Sequence, residues 1–168
     1  MKVYGYCRIS TSKQSMERQI RNIKLAYPDA VIVKETYTGT KIQGRKEFEK
    51  LLKIVSTGDT LVFDSVSRMS RTAQEGYEMY QKLYNQGVSL VFLKEPHINT
   101  STYQQAMENQ LSVNVKTGDQ ASEELLSGIF GALNRYMLNL AKRQIQLAFE
   151  QAEKEVTDLH QRTREGIQ

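Results

Sequence analysis

Between Val3 and Leu93, four short runs of β-forming residues alternate with three stretches whose apolar positions recur every three or four residues. This alternation constrains the fold more than any other feature of the chain, because strand after helix after strand is the pattern of parallel crossover units. It predicts an α/β fold: a mostly parallel central sheet flanked by helices. Strands are expected at 2–9, 31–33, 61–63 and 88–93. Met16, Ile20, Ile23 and Tyr27 predict a helix over 13–27, stopped at Pro28, and Phe48, Leu51, Leu52 and Val55 predict a second. A third is expected to open at Arg68-Met69-Ser70-Arg71 and to carry Tyr77, Tyr80, Leu83 and Tyr84 on its inner face. Between the second strand and second helix, Thr36 to Gly44 is polar, contains Gly39 and Gly44, and reads as a mobile loop with a basic far end at Lys41, Arg45 and Lys46.

After Pro96 the rhythm changes. Residues 101–111 predict a short helix and Lys116 to Asp119 a turn. From Ser122 an apolar stripe runs through Leu126, Ile129, Leu133, Met137, Leu140, Ile145, Ala148, Ala152, Val156 and Leu159, with no proline or glycine between Ala132 and Glu165. A domain of this size cannot cover such a stripe, which implies a partner helix, most simply that of a second subunit. The alternative is a long helix folded back on its own sheet. The chain is accordingly divided into an α/β domain at 1–120 and a long oligomerisation helix at 121–168.

With 168 residues, 39% of them hydrophobic and 25% charged, the chain supports one core of ordinary soluble composition. No apolar run has the length of a bilayer span and no signal peptide is visible, which points to the cytoplasm. Cys7 is the only cysteine, and with His97 and His160 it offers no metal-ligand spacing, so neither metal nor cofactor is expected. A net charge of +4 admits a polyanionic partner.

Strand alternation sends Tyr6, Arg8 and Ser10 to one side of the first strand, at the carboxyl end where open α/β sheets place their ligands. The hydroxyl cluster from Ser10 to Ser15 also reads as an ordinary helix cap. Arg68 and Arg71, at i and i+3 in an expected first helical turn, would oppose the helix dipole, which an anion bound there would offset; the alternative is two solvated surface arginines. Should these converge with Arg8 and Arg45, the set suits a phosphodiester. Guanidinium forks hold phosphate oxygens without a metal, and Ser10 would be the attacking group. There is no Walker loop, no carboxylate cluster suited to Mg²⁺, and no histidine near Ser10 in sequence.

Tyr6-x-Arg8-x-Ser10-Thr11-Ser12-x-Gln14-Ser15 with Gln19, Arg45 before a helix, Gly58-Asp59, and Arg68-x-x-Arg71 together resemble the catalytic domain of the serine recombinases, the resolvase and invertase family. The similarity runs through residues 2–98 and resumes from Glu150 to Glu153 and from Arg162 to Gly166. It implies that Ser10 attacks a DNA phosphodiester to form a 5′-phosphoserine link, and that a homodimer assembles into a synaptic tetramer that exchanges and rejoins strands. By position, Arg8, Arg45, Arg68 and Arg71 would bind the scissile phosphate, Tyr6, Gln14 and Gln19 would support the nucleophile, and Glu153 would match an acidic residue on the long helix. The pattern departs from the family at Ser67, where an aspartate is common before the first arginine of the pair, and at Glu35, where aspartate is usual. Asp64 is the candidate to supply the acidic role. The segment from Asn99 to Gln146 is longer than compact members need. In this family a DNA-binding domain follows the catalytic one, and nothing here resembles it, so the chain is expected to be a catalytic fragment. Two other readings stand beside this one: a non-catalytic, DNA-associated α/β dimerisation module, and a metal-independent nuclease. No membrane or small-molecule partner is expected.

Overall fold

The structure, a computed structural model, describes residues 1–11, 15–39 and 42–166. Gln14, Thr40 and Lys41 lie outside the described residues.

Four strands, β1 (Val3–Ile9), β2 (Val31–Thr36), β3 (Thr60–Phe63) and β4 (Ser89–Phe92), form one sheet in the order β2-β1-β3-β4, with every pair parallel. Tyr6 of β1 stands opposite Val33 and Phe63, and Phe63 opposite Phe92. Period-two alternation gives the sheet two apolar faces. One carries Cys7 and Val62 and is covered by Ile23 of α1 (Glu17–Ala26) with Met16, Ile20 and Tyr27 packed alongside. The other carries Tyr4, Tyr6, Leu61, Phe63, Leu90 and Phe92 and takes the remaining core. There the Tyr6 ring meets Phe48 edge-on at 4.8 Å and Phe63 at 5.9 Å, while Phe63 stacks on Phe92 at 5.4 Å. Phe48 comes from α2 (Lys46–Ile54).

Strand β2 is longer than its apolar run, because polar Lys34, Glu35 and Thr36 continue the pairing opposite Cys7, Arg8 and Ile9. The expected third helix is corrected. It is two elements, a single turn α3 (Val66–Met69) and α4 (Ala73–Asn85), separated by extended backbone at Ser70 (φ −150°, ψ 148°) and Thr72 (φ −112°, ψ 137°). Arg68 lies within the turn and Arg71 in the extended link, so the two do not share a helical first turn. The carbonyls that would have carried the helix onward are instead taken by arginine side chains: Ser67 O by Arg8, and Arg68 O and Met69 O by Arg45.

A 3₁₀ turn at Pro96–Ile98 leads into α5 (Thr100–Glu108), and α6 (Gln120–Arg164) follows as 45 residues, about 67 Å at the usual helical rise. Asp119 caps it, accepting from the Ser122 N–H at 3.2 Å and hydroxyl at 2.6 Å. The helix divides by function. Ile145, Phe149 and Ala152 are buried in the sheet's own core, with Phe149 seated where Gly76 of α4 has no Cβ, whereas Leu125, Ile129, Leu133, Tyr136 and Leu140 are exposed. No described helix is long and apolar enough to cross a membrane.

Candidate active site

The site is built where β1 outruns β3. Pairing with β3 ends at Tyr6, so at Arg8 one side of the strand has no neighbour. Gln19 of α1 fills the gap: its Oε1 accepts the Arg8 N–H at 3.0 Å and its Nε2 donates to the Arg8 carbonyl at 2.8 Å. The buried backbone is thereby satisfied without a strand, and the Arg8 side chain is held inward beside Tyr6.

Around α3 the guanidinium groups converge. Arg8 Nη2 donates to Ser67 O at 2.7 Å and its Nε to Arg68 O at 3.4 Å, while Arg45 Nη1 donates to Met69 O at 2.5 Å and to Arg68 O at 3.4 Å. Arg68 Nη1 donates back to Arg8 O at 3.1 Å, and Arg71 Nη2 donates to Ser10 Oγ. Arg8 and Arg45 are essentially fully buried. Even so, Arg8 Nη1, Arg45 Nε and Nη2, and Arg68 Nε have no acceptor among the described residues. Nor does any of the four arginines form an ion pair with a carboxylate there.

The electrostatic result is concentrated positive charge. Burial, then Arg45 and Arg71, push the Arg8 guanidinium down to about 9. Arg68 is lowered by burial, with Asp64 pulling the other way, and Arg71 is lowered by burial, Arg45 and Arg68. Buried donors without acceptors and like charges without counter-ions describe an anion-binding cradle, with a serine hydroxyl at its rim.

The acidic residues occupy other posts. Glu35 is buried under the start of α2, where Oε1 accepts the Tyr6 hydroxyl at 3.3 Å and the Phe48 N–H at 3.2 Å, and Oε2 accepts the Glu47 N–H at 3.2 Å. It thus anchors the helix that Arg45 begins, rather than pairing with an arginine. Burial raises the Tyr6 phenol, which donates to this carboxylate. Asp64 accepts from Asn22 Nδ2 at 2.9 Å and pairs with Lys94 at 3.3 Å, making no hydrogen bond to Arg68. The Ser67 hydroxyl meets that of Ser65 at 2.7 Å and only its carbonyl serves Arg8. Glu153 Oε2 accepts the Ala73 N–H at 3.2 Å, so α6 caps α4 two residues beyond Arg71. Ser10, Arg8, Arg45, Arg68, Arg71, Tyr6, Gln19 and Glu35 are therefore brought together, Ser67 borders them through its carbonyl, Asp64 and Glu153 stand at the margin, and Gln14 is outside the described residues.

Sequence reasoning passed over Tyr37 and Glu95. The Tyr37 ring lies beside Arg45, with Cζ 5.7 Å from its centroid, and its hydroxyl donates to Gln43 O at 3.1 Å. Gly39 and Gly44 both close against that ring, and Gly44 has φ +97°. An aromatic two residues before the first of two glycines in a basic loop was the available signal. Glu95 accepts the Val66 N–H that starts α3. Among the described residues no group of three His, Cys, Asp or Glu side chains could hold a metal ion.

The Resolvase, N terminal domain family matches residues 3–157. A resolvase of Clostridium perfringens (strain 13 / Type A) is 30% identical over 98 residues, 58% of this chain and 51% of the relative. The transposon Tn21 resolvase of Escherichia coli is 32% identical over 107 residues, covering 62% of this chain and 53% of its own. The chain thus spans about half the length of the curated relatives it matches. The crystal structure of a resolvase family site-specific recombinase from Streptococcus pneumoniae matches 90% of this chain and 98% of that chain, at 23% identity and a TM-score of 0.47.

Proposed function

The chain belongs to the resolvase family through its N-terminal domain, and from that membership we propose that it acts in site-specific DNA recombination, cutting and rejoining strands with Ser10 as nucleophile. Ser10 Oγ attacks the scissile phosphorus, its proton leaves, and a serine–phosphate ester replaces the bond to the 3′ oxygen, which departs as a hydroxyl after taking up a proton. One phosphate ester is exchanged for another, so rejoining needs no ATP; the 3′-hydroxyl of the exchanged strand attacks the phosphoserine and releases Ser10.

The observation that carries this reading is the cradle itself: Arg8, Arg45 and Arg68 present buried N–H groups that find no acceptor among the described residues, beside the hydroxyl that Arg71 holds. Those donors suit the non-bridging oxygens, on which charge grows during in-line displacement. The exposed face from Leu125 to Leu140 supports assembly as a homodimer and then a synaptic tetramer. The cytoplasm, where DNA is reached, is the proposed location.

The test is covalent trapping. The intact protein is incubated with the end sequences of the element that encodes it, quenched in denaturant and examined for a protein–DNA adduct. An adduct that Ser10→Ala abolishes, and that reseals when the quench is delayed, is expected. No adduct despite DNA binding would favour a non-catalytic module, and an adduct that never reseals would favour a nuclease.

A further inference from the structure

The guanidinium groups of Arg8 and Arg45 donate to the carbonyls of α3, and α3 is a poor helix. It has four residues, Val66–Met69, and a single i to i−4 hydrogen bond, Ser70 N–H to Val66 O at 3.1 Å. A lone turn does not hold itself together, because nucleation fixes several dihedrals for one hydrogen bond. Its N-cap, Ser65, makes no capping bond, since its hydroxyl is engaged by Ser67.

The cap arrives from elsewhere. Both carboxylate oxygens of Glu95, at 3.1 and 3.3 Å, accept the Val66 N–H. Glu95 is itself held in a tight turn after β4: its N–H donates to Phe92 O at 3.2 Å and its carbonyl accepts from Ile98 N–H at 3.1 Å. The preceding residue is tied to β3's end, with Lys94 N–H donating to Asp64 O at 3.1 Å. A rigid turn at the sheet's far edge therefore grips the first residue of the helical turn whose carbonyls hold two of the cradle arginines.

We propose that Glu95 is a positioning residue for the cradle: its carboxylate fixes α3, and α3 in turn sets the guanidinium planes of Arg8 and Arg45. The carboxylate of Glu95 is hydrogen-bonded to the Val66 N–H, so it acts on the arginines through α3. The inference rests on the reading of the arginines as the phosphate-binding set. Burial raises the Glu95 carboxyl, the Val66 N–H, Lys94 and His97 lower it, and Asp64 raises it. Arg68 and Glu155 face the same cavity of about 560 Å³. A carboxyl that takes a proton still offers the Val66 N–H a neutral carbonyl acceptor, as a glutamine amide would, so the cap is lost only when the acceptor itself is removed.

The experiment compares Glu95→Ala and Glu95→Gln in the intact protein by two readouts. The first needs no DNA: amide hydrogen exchange at Val66, Arg68 and Ser70. Glu95→Ala should speed exchange there by about tenfold or more while the β1 amides stay protected, whereas Glu95→Gln, which keeps a neutral acceptor, should remain near the parent. The second is single-turnover cleavage at saturating DNA. Glu95→Ala should lose about 10- to 100-fold, as expected for reacting groups displaced by an ångström, with DNA affinity changed less than about threefold. Glu95→Gln should recover most of the parental rate. Should the alanine variant not fold, Glu95→Asp, one methylene shorter, takes its place in both arms. Unchanged exchange overturns the link to α3 whatever the protein's activity. Changed exchange with an unchanged rate, or a glutamine variant as slow as the alanine one despite normal exchange, overturns the positioning role. Absence of cleavage by the parent rejects the recombinase reading and with it the positioning role, leaving the exchange arm to report the cap alone.

Discussion

Arg71 Nη2 donates a hydrogen bond to Ser10 Oγ, joining two residues 61 positions apart in the chain. The contact is possible because Arg71 sits in the extended link after α3 rather than on a helix. Extended backbone at Ser70 and Thr72 turns its side chain towards the end of β1, while Arg68, three residues earlier, reaches the Arg8 carbonyl.

If Arg71 steadies the nucleophile and the charge developing beside it, Arg71→Ala should slow adduct formation by about 10²–10³, the effect of removing one preorganised donor. Arg71→Lys keeps the charge but not the planar fork, and should remain well below the parent. Rapid-quench measurement of the covalent adduct checks both; an Arg71→Lys variant at the parental rate would leave only charge to the residue.

A cradle of guanidiniums that have no carboxylate ion-pair partner among the described residues should be stabilised by an anion even without DNA. Sulfate, whose charge is constant over the relevant pH range, should raise Tm, approaching about 2.7 kcal/mol of added stability at one hundred times its Kd. The pH dependence follows from Arg8, lowered to about 9. A base whose folded pKa is depressed carries an unfavourable charge below that value, and the cost is relieved as pH rises towards the unfolded pKa. Anion-free protein should therefore gain this contribution above about pH 9, while the sulfate-induced shift in Tm should shrink over the same range. Thermal melts with and without sulfate from pH 7 to about 10 measure both.

The glycine loop should be intolerant at Gly39 because of its neighbour. A methyl at Gly39 would collide with the Tyr37 hydroxyl and ring, which lies beside Arg45. Gly39→Ala and Tyr37→Leu should both lower the cleavage rate at saturating DNA, by about fivefold if the ring contact contributes about 1 kcal/mol. Tyr37→Phe keeps the ring and loses only the bond to Gln43 O, so it should stay within about threefold of the parent. Equal losses for the leucine and phenylalanine variants would assign the effect to the hydroxyl instead.

The bare face of α6 leads to an assembly prediction. Leu140 is 45% exposed and Tyr136 63% exposed on a helix that buries Ile145 and Phe149 in its next turns. Leu140→Arg should shift sedimentation towards monomer without lowering Tm by more than a few degrees, since the residue lies outside the core cluster. An unchanged species would reject this face as the interface.

Residues 1–93 carried most of the fold in local pattern. Alternating β-formers and helical periodicity sufficed for four strands, their order along the chain, and the placement of Tyr6 and Arg8 on one side of β1, because side-chain direction along a strand repeats every two residues. The apolar stripe of α6 was equally local, and no proline or glycine interrupts it after Ala132. Sequence could also assemble Ser10 with the four arginines, through the order of short motifs. Contacts between distant residues decided the rest. The break between α3 and α4 is made by guanidiniums arriving from Arg8 and Arg45 to take the helix's carbonyls. Glu35, Glu95 and Glu153 serve as acceptors at helix starts on other elements, and Gly39 and Gly44 accommodate a tyrosine ring. How α6 divides between the core and an open face depends on Gly76 making room for Phe149. Periodicity reports which way a side chain leaves its own backbone; which distant N–H or carbonyl it meets is decided only when the sheet brings the ends of β1, β3 and β4 together.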